Sequence, residues 1–376
     1  MQRTLSNNDI YERIKMVDFN RTEPETLSQL VYSAIKIGDE IRDDYVRLRQ
    51  LTDDILELME RENLLRSKQF SREELITLSS KVASASDGSF QSVGGADGIW
   101  YVPISVALII FRQGISGTPE VSVGAHIQKI DERQHHNLGA AMETSMLYAE
   151  ASILKDWARD CPEDIVHLID GPAMDPPRQM EKEYVAYRAE AIKGCLDKKV
   201  LVLCCVKKLL GNFLMERMAG MLRDFEKERL SQFASDAYLI YHVFTKASLQ
   251  GGMTVYTKPL EILDTNPLYK PYKDAGLTIY FMYFQRDPRS KPFRVDIPVK
   301  VDTQVNIERL GEQAAATLSA WSYPGYDLPI PSVIAHYKCN IRKGCAEVLY
   351  SEIITRAASN HPFDNLVRTK LGKEVM

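Results

Sequence analysis

Ile165-Val166-His167-Leu168-Ile169-Asp170-Gly171, bounded by Pro162 and Pro172, is an apolar run too short for a helix and closed at both ends by proline. It reads as a buried strand. A helical period over 178–196 follows, and 200–206 is a second apolar run of the same kind. Upstream, 82–87 is short and rich in small residues, 99–111 is strongly β-prone, and 120–130 alternates; Gly114, Gly117 and Pro119 form turns between the last two. These three segments predict a β-meander. Helical periods over 71–81, 137–159, 212–233, 307–321 and 344–358, with strands over 277–285 and 293–299, complete the pattern. Strands that begin as a meander and then alternate with helices predict an α/β fold, a mixed sheet with helices on its faces.

Before this region, 22–65 predicts one long helix. Thr22 and Glu25 stand at capping-box spacing, and Pro24 falls in the first turn, where its missing amide hydrogen does no harm. Leu30, Ala34, Ile37, Ile41, Tyr45 and Leu48 recur at steps of four and three, and Leu51, Ile55 and Leu58 resume the rhythm after a slip. Such a helix runs about 60 Å, either along its own core or as a dimerising arm. The chain therefore divides into an N-terminal helical, coiled-coil-like arm over 1–70 and a second domain over 71–376. Left uncovered, the seam predicts a homodimer.

Composition narrows the function classes. Of 376 residues, 45% are hydrophobic and 26% charged, which excludes disorder and fibrous repeats. The longest apolar stretch, 99–111, is broken by Pro103 and falls short of the ~20 residues a membrane-spanning helix needs. The first fifteen residues carry Arg3, Glu12, Arg13 and Lys15 with no apolar core, so no secretory signal is expected and a cytoplasmic location is. Six cysteines without a Cys-x-x-Cys pair read as reduced, mostly buried thiols. A net charge of −4 gives no global pull toward nucleic acid, so any contact with it must use local basic patches.

Two Asp-Gly pairs close apolar strands, Asp87-Gly88 and Asp170-Gly171. Each alone is a turn signal, as at Asp97-Gly98. Two aspartates at the ends of neighbouring central strands, however, stand where α/β proteins build their sites. Glu150 is flanked at three and four residues by Met146, Leu147, Ile153 and Leu154, so it points out of the apolar face of its helix. A buried carboxylate needs compensation, either a Lys or Arg partner or a divalent cation shared with Asp87 and Asp170. Three hard oxygen ligands suit magnesium or manganese better than zinc. Glu143, one heptad earlier, is a weaker candidate. His336 ends Pro331-Ser332-Val333-Ile334-Ala335-His336, which comes after a segment too rich in proline to predict regular structure; it is either a satisfied core residue or a metal ligand or proton donor. Basic groups abut the strand ends: Lys207-Lys208, then Arg286, Arg289, Lys291 and Arg294, then Lys338, Arg342 and Lys343. They are either solvated faces or a phosphate-facing groove. No Gly-x-x-x-x-Gly-Lys-Ser/Thr loop supports phosphotransfer.

In order, Asp87-Gly88-Ser89, Glu150 on a helix, Leu168-Ile169-Asp170-Gly171, Val206-Lys207-Lys208, and Pro331 to His336 as Pro-x-x-x-Ala-His resemble the NurA nuclease family over roughly 80–345. The resemblance implies an RNase H-like (Piwi-like) core and manganese- or magnesium-dependent hydrolysis of DNA, as a 5′ to 3′ exonuclease and single-strand endonuclease. It also implies a homodimer beside a HerA-type hexameric ATPase, in DNA end processing or anti-phage defence. Position by position it makes Asp87, Glu150, Asp170 and His336 the catalytic and metal-binding set. Asp87 would bridge two cations ~3.5–4 Å apart, and Lys207, Lys208, Arg294 and Arg342 would bind DNA. Phe293-Arg294-Val295-Asp296 resembles the family's Arg-containing strand. One departure stands out: a tyrosine eight residues before the histidine is replaced by Leu328, with Tyr323 and Tyr326 nearby. That bears on efficiency more than on reaction type. The rival expectation is a non-catalytic DNA- or protein-binding subunit that keeps the fold; three intact carboxylates argue against it, because a scaffold has no need to hold them together against their repulsion.

Overall fold

The computed structural model describes residues 23–358 apart from 96–97, 175–181, 210, 252 and 325. In chain order the elements are α1 (Pro24–Arg61), β1 (Leu65–Lys68), α2 (Arg72–Ser79), β2 (Ala83–Phe90), β3 (Val93–Gly94), β4 (Ile99–Phe111), β5 (Glu120–Asp131) and α3 (Leu138–Asp160). They continue with β6 (Val166–Asp170), α4 (Lys182–Asp197), β7 (Leu201–Val206), α5 (Phe213–Ala219), α6 (Asp224–Leu230), α7 (Asp236–Gly251), β8 (Thr254–Thr257) and β9 (Leu260–Glu261). The last are α8 (Tyr269–Asp274), β10 (Leu277–Gln285), β11 (Phe293–Lys300), α9 (Ile307–Trp321), α10 (Ile330–Cys339) and α11 (Lys343–Ala358). No helix among the described residues is long and apolar enough to cross a membrane.

Eleven strands form one mixed sheet in the order β1-β8-β10-β11-β7-β6-β2-β4-β3, with β5 also on β4 and β9 on β10. The meander β2-β4-β5 is antiparallel, whereas β2, β6 and β7 run parallel. The expected mixed α/β sheet is therefore present. Alternation along the central strands sorts side chains to two cores. Ala83, Ala85, Leu168, Leu203 and Cys205 face α9 and α10, while Ile169, Val202 and Cys204 face α3, α4 and α7. Asp87 follows Ala83 and Ala85 at the same parity, and Asp170 follows Val166 and Leu168. Both aspartates thus turn toward α10.

Several expectations change. Pro24 opens α1 with Glu23 at the N-cap and no side-chain cap, and Thr22 lies outside the described residues. The apolar seam divides: Leu48, Ile55 and Leu58 are buried in the core, but Leu30, Ile37 and Ile41 are exposed. The single helix expected over 212–233 is two, because α5 ends at Gly220 and Glu226 starts α6 afresh by accepting from Arg223 N–H. The stretch from Pro331 to His336, for which the sequence predicts no element, is helical, since Pro331 sits in the first turn of α10 where proline is tolerated. Residues 178–181, expected to begin a helix, and Asp97 of the expected turn lie outside the described residues.

Candidate active site

Asp87 does not sit in a turn after its strand. It lies inside β2, paired with Ala107 of β4, and its register neighbour Ser86 faces Ile169 of parallel β6. That register sets Asp87 level with Asp170, the last residue of β6. Gly88 is a strand residue for a packing reason: a Cβ there would meet Glu150 Oε1 at 2.5 Å. Glu150 thus reaches β2 from α3 on the opposite side of the sheet, through the space a side chain would fill. Only Gly171 of the two Asp-Gly glycines has a positive φ, at 142°.

α10 brings the remaining groups to Asp87. His336 Nδ1 lies 2.9 Å from Asp87 Oδ2 and 3.8 Å from Asp170 Oδ2. Cys339, one helical turn later, donates its S–H to the same Oδ2 at 3.4 Å, and Gly88 N–H donates to Oδ1 at 2.9 Å. Asp87, Asp170 and His336 each offer a ligand atom, all within 4.8 Å of one another. Lys207, just past β7, sets its Nζ 2.6 Å from Asp170 Oδ2, a cation already in place against a buried carboxylate. Burial and the neighbouring Asp170 charge push the Asp87 carboxyl up to about 7. The two carboxylates suit magnesium or manganese, whereas the imidazole taken alone would equally suit zinc.

Glu150 is buried behind this cluster and outside the grouped ligand atoms, and it is its ion-pair reading that finds a partner. Its Oε2 is 3.9 Å from Nη1 of buried Arg188, whose Nη2 donates to Pro172 O at 3.2 Å. Arg188 therefore ties Glu150 to the loop that follows Asp170. Glu143 is half-buried and outside the grouped ligands. His167 is a satisfied core residue: Ser84 and Ser86 hydroxyls flank its ring nitrogens at 2.9 and 3.0 Å, and burial with nearby Arg188 pushes it down to about 3.

The basic residues separate. Lys207 and Lys208 stand at the sheet end beside Asp170, and Arg342 is exposed beyond α10. Arg294 is not on a groove surface. It is 5% exposed, its Nε donates to Asp296 Oδ1 at 2.8 Å, and its guanidinium lies 4.5 Å over the Phe213 ring. Asp296 in turn accepts from Ala173 N–H at 3.1 Å, so this buried pair pins the loop after Asp170. Leu328 is buried, whereas Tyr323 and Tyr326 are 60% and 54% exposed. Sequence reasoning missed Cys339 and Arg188. Cys339 lies three residues from His336 and so shares its helix face, which stays hidden where the sequence predicts no helix.

The NurA domain model matches residues 81–337. The chain belongs to the NurA domain family. The crystal structure of the NurA nuclease from Sulfolobus solfataricus superposes with a TM-score of 0.60 at 13% identity, covering 91% of this chain and 99% of that one. The two share a fold, the mixed α/β sheet flanked by helices described above. A NurA bound to dAMP and manganese aligns over 82% of this chain and 96% of its own, with 13% identity and a TM-score of 0.38. Endonuclease V of Ciona intestinalis in complex with DNA aligns over 82% and 99%, at 13% identity and a TM-score of 0.33. None of the curated proteins matches the chain in sequence. As a NurA, the chain is an enzyme of the nuclease class, and its strand-end carboxylates lie within a family-matched region.

Proposed function

We propose that this NurA hydrolyses DNA phosphodiesters with manganese or magnesium held by Asp87, Asp170 and His336, with Glu150 completing the set from the other side of the sheet. The observation that carries this reading is the convergence of two strand-borne carboxylates and a helix-borne imidazole within 4.8 Å of one another. The two carboxylates suit manganese or magnesium, the ions that the family resemblance implies. When bound, such ions supply an activated water on one side of the phosphodiester and stabilise the leaving oxygen on the other. The protein's own part is positional. Gly88 N–H and the Cys339 thiol orient Asp87, Arg188 and Asp296 hold the loop after Asp170, and His336 stands half-exposed toward the leaving group. Lys207 is close enough to move from Asp170 to a substrate phosphate.

Within residues 1–70, the exposed Leu30, Ile37 and Ile41 of α1 support a homodimer, and residues 71–376 then act as the nuclease domain. The 5′ to 3′ exonuclease and single-strand endonuclease activities, the HerA-type ATPase partner and a role in end processing or anti-phage defence belong to the same reading. Incubating the protein with labelled single- and double-stranded DNA in manganese, magnesium or chelator tests it. Cleavage that needs the metal is expected; absent or chelator-insensitive cleavage would favour the binding-subunit alternative. Light scattering on the full chain should give a dimer at micromolar concentration, and a monomer removes that part.

A further inference from the structure

α10 carries a soft ligand beside the hard ones. Cys339 donates its S–H to Asp87 Oδ2 at 3.4 Å, the same oxygen that His336 Nδ1 meets at 2.9 Å. His336 and Cys339 stand one helical turn apart, as His-x-x-Cys, so both approach that oxygen from one face of α10. A thiol is a weak hydrogen-bond donor, and a hard ion such as magnesium has little use for its sulfur. A serine hydroxyl would hold Asp87 more firmly. What the cysteine adds is affinity for a soft ion such as zinc, which imidazole and carboxylate also accept.

The spacing agrees. A tetrahedral zinc with its usual bond lengths keeps sulfur and oxygen ligands about 3.5 Å apart, and nitrogen and oxygen ligands about 3.4 Å apart. Sγ to Oδ2 is 3.4 Å and Nδ1 to Oδ2 is 2.9 Å, while Asp170 Oδ2, 3.8 Å from Nδ1, stands ready as a fourth ligand. Cys339 is outside the three atoms that already lie within 4.8 Å of one another, so the set closes when the thiol turns inward about its Cα–Cβ bond. A way in exists. Cys339 is buried, yet it lines a groove of about 480 Å³ with Ser105, Ala125, Lys338 and Arg342, between the β4–β5 pair and the end of α10. Exposed Cys345 lines the same groove from α11.

We infer that Asp87, His336 and Cys339 form a zinc site that competes with the manganese or magnesium centre for Asp87, so that zinc shuts the centre off. The inference rests on the proposed nuclease centre for its consequence, though not for its test. As the Zn–S bond forms, the thiol proton leaves to solvent, and His336 binds through Nδ1 with its own proton on Nε2. Asp170 closes the tetrahedron, and a closed tetrahedral zinc keeps no position for a water or a substrate oxygen. Both aspartates are then withdrawn from the hard ion. Manganese gains nothing comparable from the thiol, so Cys339 acts on the choice between the two metals rather than on the binding of either hard ion.

The experiment is calorimetric titration of zinc, and separately of manganese, into the metal-free full chain, Cys339→Ser and Cys345→Ser, each variant first checked for an unchanged melting temperature. Cys339→Ser keeps a hydroxyl for Asp87 but lacks the sulfur, so zinc affinity should fall more than about a hundredfold, beyond the cost of losing an outer-shell partner, with a far smaller change for manganese. Cys345→Ser should match the wild type with both ions. Manganese added to zinc-loaded wild type should give no binding heat. Cobalt, a spectroscopic substitute for zinc, should show sulfur-to-metal charge-transfer absorption in the wild type, a readout that needs no variant to fold. Undiminished zinc affinity in Cys339→Ser, manganese binding to zinc-loaded protein as to metal-free protein, or a wild type without the cobalt–sulfur band overturns the site. No cleavage is read, so failure of the nuclease reading would leave this result intact, and a failed zinc site would leave metal-dependent cleavage intact.

Discussion

Two groups of buried carboxylates lie at the same end of the sheet and differ in how their oxygens are satisfied. Asp236 accepts from Leu214 N–H at 2.7 Å, Met215 N–H at 3.0 Å and the Tyr283 hydroxyl at 2.6 Å, while Asp296 takes the Arg294 guanidinium and Ala173 N–H. Protein donors saturate that group. At Asp87 and Asp170 the donors are a weak thiol, one backbone amide, a histidine and a lysine 39% exposed at its side chain, and the two acids face each other. A buried acid completed by fixed donors is structural, whereas acids facing one another beside mobile cations are arranged for something that arrives.

Breaking the second group should give the largest effect. Asp170→Asn is nearly isosteric but loses the charge, so cleavage in manganese should fall by more than about a hundredfold, beyond what losing an outer-shell partner costs. Circular dichroism and melting should be unchanged. Full activity in that variant would end the metal assignment.

Breaking the first group should cost stability instead. Asp236→Ala leaves two amides and a buried tyrosine hydroxyl without an acceptor, which costs about 3 kcal/mol. Denaturant melts should show the loss, while the manganese-induced rise in melting temperature of the folded fraction persists. A stable variant lacking that rise would invert the comparison.

Glu150 bridges the two behaviours. Glu150→Gln should lower stability in chelator by about 1–3 kcal/mol, because buried Arg188 loses a counter-charge, and should also shrink the manganese-induced shift. A destabilised variant with an unaltered shift would make Glu150 purely an ion-pair partner.

The remaining effect is a slope. The Asp87 carboxyl is raised to about 7 in the folded chain, so between its ordinary value and about 7 the unfolded chain releases a proton that the folded chain keeps. Metal-free stability should therefore fall as pH rises through that window and level off above it. Asp87→Asn should flatten the curve and melt higher at alkaline pH; parallel curves for the two proteins would refute the raised carboxyl.

Much of this was legible in the chain. The strand ending at Asp170 was marked by its prolines, and Glu150 by the apolar residues around it on α3. Asp87 was identified but misplaced, because Gly88 serves the approach of a residue sixty positions away and a local turn rule cannot register that. Arg294 resembled a surface cation, since its pairing with Asp296 depends on both facing one side of β11 into the core. α7 went unassigned although Leu239, Ile240, Val243, Phe244 and Ala247 form one buried stripe, because exposed Tyr241 and Leu249 put large apolar side chains on its outer face as well. α10 was masked by its own helix-starting prolines, and Cys339 with it.

Titrating manganese calorimetrically into metal-free wild-type protein, Asp170→Asn and Asp236→Asn tests the distinction between the two groups directly. The account predicts binding to the wild type and to folded Asp236→Asn, and its loss in Asp170→Asn. Equal binding by wild type and Asp170→Asn would contradict it.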